Sequence, residues 1–262
     1  MPKSQAERAS KIDAMMEQAS RALVARDYFA VERLAASALR RAHHEADYDR
    51  MARILLPLQE ARRMKREMAV DTGRLTIVEG EVPEGRSLLA GCYLVGPPRV
   101  GADGRILREI ADEREIPVFV LVREPASREG LWPIVAVGPV TVRAKVSPPA
   151  PPTPPAPPKT AKKPPPRAPG KPAAPAPRPA IPLEWFVRAA ESLGDEAISQ
   201  VPLTLSAAAR VDALMHRLEA IPFHEKLHQR LEEACREALQ EPPRKRKTGQ
   251  FDPFLDEFGN ED

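Results

Sequence analysis

Aromatic residues make up only 5% of this 262-residue chain, and cysteine occurs twice, as Cys92 and Cys235. Two cysteines in different regions exclude a disulfide framework and a cysteine-based zinc site. Few aromatics mean that any core is built from Leu, Val, Ile, Met and Ala, and at 42% hydrophobic residues there are enough of them. Long apolar runs are missing: Val118 to Val122 is among the longest, far short of a membrane span. Met1 to Gln18 is charged and lacks the apolar stretch of a secretory signal. A cytoplasmic protein is the expectation.

Proline is abundant, with 31 residues, and most of it lies between Pro148 and Pro182. That stretch also carries Lys159, Lys162, Lys163, Arg167, Lys171 and Arg178, and no acid. Removing these six charges from the net +3 leaves three negative charges for the rest. The basic balance therefore describes the stretch, and net charge alone does not point to nucleic acid.

An α+β, multi-part architecture is predicted. Residues 1–70 form a helical region, 71–147 a small α/β domain packed with it or following it, 148–182 a disordered Pro/Ala/Lys-rich linker, 183–241 a small all-α bundle, and 242–262 a tail. In the first region Ala9, Ile12, Met16, Ala19 and Leu23 recur at steps of three and four, the spacing of one helical face. Asp27 caps a second helix with Val31, Leu34, Ala35, Ala38 and Ala42 inward. Asp47 caps a third with Met51, Ile54, Leu55, Leu58 and Ala61 inward, where Pro57 predicts a kink. Between residues 72 and 147 the period changes. Strands are expected over Leu75–Val78, Tyr93–Val95 and Val118–Val122, with a helix over Arg105–Arg114 bearing Ile106, Leu107 and Ile110 on one side. Ile134–Val137 and Val140–Val146 give one more strand or a bulged pair, interrupted at Gly138-Pro139. Strand, helix, strand at this spacing implies a right-handed parallel crossover. In the last region a helix with Leu183, Phe186, Val187 and Ala190 inward is predicted to stop near Gly194. Asp195 then caps a short helix, Ser206 a third with Val211, Leu214, Met215 and Leu218 inward, and Pro222 opens a fourth with Phe223, Leu227, Leu231, Ala234 and Ala238 inward. A bundle of this size is short of core on its own.

Asp27-Tyr28-Phe29-Ala30-Val31-Glu32-Arg33-Leu34-Ala35-Ala36-Ser37-Ala38-Leu39 resembles the turn and second helix of a tetratricopeptide repeat, over roughly residues 5–45. The resemblance implies closely packed helical hairpins, and a groove for peptides where hairpins stack. The Trp and Leu-Gly of that family's first helix are missing here, and a second Asp-Tyr pair, Asp47-Tyr48, comes sooner than the family's period of about 34 residues.

Four features could carry chemistry. His224-Glu225-Lys226-Leu227-His228 is HExxH taken literally and resembles the zincin metallopeptidase motif, which would make His224 and His228 zinc ligands and Glu225 the general base. Lys226 puts a cation beside any metal, Leu231 and Ala234 stand where an extended motif needs Gly and His, and helical geometry turns Glu225 away from the apolar face. The stretch is therefore expected as an exposed polar face, with His216 also pointing outward. Second, Gly96 to Gly104 leads into a helix, where Arg99, Arg123, Glu124 and Arg128 could line a crevice at the strand ends; the glycines fit no nucleotide motif, Asp103 would repel phosphate, and turn and capping chemistry is the expectation. Third, Cys92, with His43 and His44 the nearest histidines, is expected as a buried small side chain. Fourth, Phe251, Phe254, Leu255 and Phe258 fall at i, i+3, i+4 and i+7, the pattern of a peptide that folds into a partner's groove.

No residue is assigned a catalytic, cofactor-binding or metal-ligating role, and no cofactor is expected. The expected function is a non-enzymatic interaction or scaffold protein, with protein partners engaged by the helical regions and the Phe251–Phe258 tail, and no membrane. The alternatives are the zinc metallopeptidase above, and weak nucleic-acid or nucleotide binding through the basic linker.

Overall fold

A computed structural model of the chain describes residues 5–83, 87–150 and 181–241. The linker predicted to be disordered and the Phe-rich tail fall almost wholly outside them.

Three helices come first: α1 (Gln5–Val24), α2 (Tyr28–His44) and α3 (Tyr48–Val70). Asp27 and Asp47 cap α2 and α3 as expected, each accepting from the backbone N–H three residues on at 3.0 Å. The two turns are copies of one another. Arg26 and Ala46 take positive φ (60° and 53°), and the next N–H reaches back five residues, Asp27 to Ala22 and Asp47 to Ala42, both at 2.9 Å. This is the helix-ending hydrogen-bond pattern that favours glycine. Ala46→Gly is therefore expected to stabilise the fold by about 0.5–1 kcal/mol, read as a higher urea midpoint; a lower midpoint contradicts the turn geometry. Ile12, Ala19, Val31, Ala35, Ala38, Met51, Ile54, Leu55 and Leu58 are all buried. Pro57 does not end α3, which continues to Val70.

The sheet follows, with β1 (Leu75–Val78), β2 (Gly91–Val95), β3 (Val118–Arg123), β4 (Trp132–Val137) and β5 (Thr141–Val146) in sequential order. β1, β2 and β3 are parallel, and α4 (Gly101–Glu113) joins β2 to β3. β4 and β5 are antiparallel, two full strands paired from Trp132 with Val146 to Val137 with Thr141. Gly138-Pro139 is thus the turn of a hairpin, not a break in one strand. α4 begins four residues earlier than predicted, and its inward side is Gly104, Leu107 and Ala111, while Ile106 is exposed. Gly104 permits this closeness: a Cβ there would lie 2.2 Å from Val122 Cγ2.

The strand residues alternate between two cores. Tyr93, Val95, Val120, Val122 and Val135 face α4. Cys92, Leu94, Phe119, Leu121, Ile134, Val142 and Ala144 face the opposite way, into a core shared with α2, α3 and the C-terminal helices. Those helices are α5 (Leu183–Ser199), α6 (Ala207–Ala220) and α7 (Glu225–Ala238). Three helices stand where four were predicted, because α5 runs straight through Gly194. They do not form a free-standing bundle. Phe119 on β3 meets Phe186 of α5 and Phe223 edge-on at 5.0 and 4.7 Å, and α7 lies along α3. A core that size would be marginal alone; here it is continuous with the rest.

Residues on either side of the Pro-rich stretch are in contact. Trp185 Nε1 donates to Ser147 O at 2.8 Å, and the Trp185 and Trp132 rings meet edge-on at 5.4 Å.

Candidate functional site

Where α7 lies along α3, a network of buried and half-exposed charges links α2, α3, α4, α5 and α7. It grows out of α3. The inward stripe Leu58, Ala61, Lys65, Ala69 runs through a lysine, and Arg62 and Arg66 flank it. Lys65 is only 8% exposed. Its ammonium donates to Glu32 Oε2 at 2.6 Å and Asp112 Oδ1 at 2.5 Å, and lies 4.2 Å from the centre of the Phe29 ring. Arg62 Nε donates to Glu32 Oε1 at 2.7 Å. Burial alone would raise the Glu32 pKa; the charges of Arg62 and Lys65 and their hydrogen bonds overcome it and hold the carboxyl at about 2.

The HExxH segment is wired into this network. His224 and His228 are buried, at 0% and 1% exposure, so the expectation of an exposed polar face is corrected. The reason is contact with distant helices: Arg62 of α3 lies against His228, and the His224 ring sits on Gly194 of α5. His228 Nδ1 donates to His224 O at 3.0 Å, and its Nε2 accepts from Arg62 Nη1 at 3.2 Å, which fixes the neutral tautomer. Both nitrogens of His228 are thereby engaged within the protein. Glu225 is bound by Arg66 Nη2 at 2.7 Å, and Arg66 Nη1 binds Glu191 at 2.8 Å. Lys226 pairs with Asp195 at 2.9 Å. His224 Nε2 lies 3.3 Å from Glu191 and 3.6 Å from Asp195, without hydrogen-bond geometry to either. No group of three or more metal-binding side chains is assembled among the described residues.

Gly194 is the space for the His224 ring. A Cβ on it would stand 2.1 Å from His224 Cγ. In an ordinary helix interior alanine is favoured over glycine by about 1 kcal/mol; here Gly194→Ala is expected to cost about 2–3 kcal/mol. His224→Ala beside it should recover part of that loss in a double-mutant cycle, measured by urea unfolding.

Arg62, Lys65, Arg66, Arg108, Glu32 and Asp112 line a cleft of about 50 Å³, walled by Val118, Phe119, Val120, Pro222 and Phe223. Arg108 was not singled out in the sequence, nor were the α3 cations. The one local signal was Lys65 on an otherwise apolar stripe.

The other sequence candidates are scattered. Arg99 Nε donates to Gly80 O at 2.6 Å, and Asp103 caps Val100 N at 2.7 Å, so the α4 entrance is capped by its own side chain. Arg123 stacks on Trp132 at 4.4 Å, Glu124 takes Arg143 at 3.1 Å, and Arg128 is exposed. These do not converge. Cys92 is buried as expected, and burial pushes its thiol up to about 12. His43 instead pairs with Asp212 at 2.9 Å. His216 is exposed as expected. Phe251, Phe254, Leu255 and Phe258 lie outside the described residues. No helix among those described is long and apolar enough to cross a membrane. A scan against protein-family models, a search of curated proteins and a search of solved structures each found no match to this chain.

Proposed function

We propose that this chain is a non-enzymatic interaction protein in which one folded body displays two binding stretches, the Pro/Ala/Lys-rich residues 148–182 and the Phe251–Phe258 segment. The observation that supports this reading most is the bond from Trp185 to Ser147. A stretch whose flanking residues touch bridges no distance, so its length does not serve reach. Its PxxP spacing and six cations are then free to serve recognition by an aromatic, acidic groove. In the described body helices cover both faces of the sheet, and many of its charged side chains are engaged with one another.

Replacing residues 151–180 by a short Gly/Ser segment tests the reading. The expected result is an unchanged melting temperature together with loss of partner proteins that the intact chain retains on affinity capture, with Phe254→Ala removing a different subset. Retention of every partner by both variants contradicts it.

A further inference from the structure

We propose that the cleft between α3, α4 and the start of β3 binds one small oxyanion, a carboxylate or phosphate group, on the Arg108 guanidinium. Of the four cations that line this confined space, Arg62, Lys65 and Arg66 each touch a carboxylate and Arg108 does not. Arg66 is answered by Glu191 and Glu225. Arg62 and Lys65 share Glu32, and Lys65 also takes Asp112. Glu109, the neighbour of Arg108 on α4, pairs with Arg105 at 3.5 Å. Arg108 is left with one neutral partner, Ala220 O, at 3.2 Å from Nη1. Among the described residues no carboxylate lies within 4 Å of its guanidinium.

A half-buried cation without a counter-ion is costly. Desolvation pulls the Arg108 pKa below the ordinary arginine value; Asp112 and Glu109 oppose this from a distance, and the like charge of Arg62 adds to it. The guanidinium has five N–H donors in a planar fork that suits carboxylate or phosphate, and only one is used. The cleft's volume, about 50 Å³, is room for a few waters, each needing about 10–15 Å³ by the same measure, or for the oxygens of one oxyanion. Phe119, Phe223 and Pro222 keep part of the wall apolar, which strengthens charge-assisted hydrogen bonds. Glu32 and Asp112 also line the cleft and repel an anion, so the ligand sits on the Arg108 side. The open fork of Arg108, with no carboxylate in direct contact among the described residues, fits a single anionic group.

The test is thermal unfolding of the full chain in inorganic phosphate, in acetate and in chloride at matched ionic strength. The expected result is a saturating rise in melting temperature with phosphate or acetate over chloride, the stronger of the two naming the source, and its loss in Arg108→Gln. No rise with either anion, or an equal rise in Arg108→Gln, overturns the proposal. If Arg108→Gln does not fold, Arg108→Lys keeps the charge and loses the fork: its titration midpoint should weaken several-fold, and an unchanged midpoint overturns the assignment.

Discussion

Replacing Glu32 with alanine should destabilise the protein by about 3–5 kcal/mol, the loss that follows when one partner of a buried ion pair is removed. The exposure of its side chain is 18%, and it accepts from both Arg62 and Lys65, themselves 11% and 10% exposed. Without it Arg62 retains His228 and Lys65 retains Asp112, so two cations face one neutral ring and one half-exposed carboxylate. Glu32→Gln keeps the shape and one acceptor and should cost less. Urea unfolding of the three proteins checks the order. A loss below about 1 kcal/mol for Glu32→Ala would mean that the network is solvated like a surface pair.

Lowering the pH from 6.5 should cost the fold about 1.4 kcal/mol per pH unit through one histidine. Burial, then the Arg62 charge, pulls the His228 pKa down to about 3, against partial opposition from its bond to the His224 carbonyl and from Glu32. Its Nε2 can take a proton only by losing Arg62 as donor. Between 6.5 and about 3 the unfolded chain holds that proton and the folded chain does not. Stability from this site is complete above 6.5 and declines as pH falls through that window, by on the order of 5 kcal/mol in all. Glu32 adds a second proton lower down. Its folded pKa of about 2 lies beneath the ordinary glutamate value of 4.5, so its contribution is present above 4.5 and is lost between 4.5 and 2. The region from 6.5 to 4.5 therefore separates His228 from Glu32. Urea unfolding across it should show a slope near one proton in the native chain and a clearly flatter one in His228→Gln. The same slope in both would show that His228 is not the group being titrated.

Much of the fold could be read locally. Val118–Val122 is apolar on both faces because α4 covers one and the C-terminal helices the other. Asp27 and Asp47 are caps because a short acceptor next to an apolar period serves the free N–H groups of a new helix. The misreadings in the C-terminal part share one cause, contact between distant segments. Gly194 looks like a helix stop beside Asp195, but the helix continues because the glycine faces a histidine thirty residues on. The α7 pattern shows one apolar stripe, and nothing in it announces that α3 brings Arg62 and Arg66 over the next. Ser147 and Trp185 are separated by the most linker-like composition in the chain, which hides that they touch. The buried cations of the cleft were invisible for the same reason, since charge on a helix is ordinarily a solvated face.

The central claim is that the N-terminal helices, the sheet and α5 to α7 make one cooperative body. Scanning calorimetry of the full chain tests it most directly. One transition is predicted, with calorimetric and van't Hoff enthalpies equal. Two separable transitions, the smaller matched by melting of residues 183–241 alone, would contradict it.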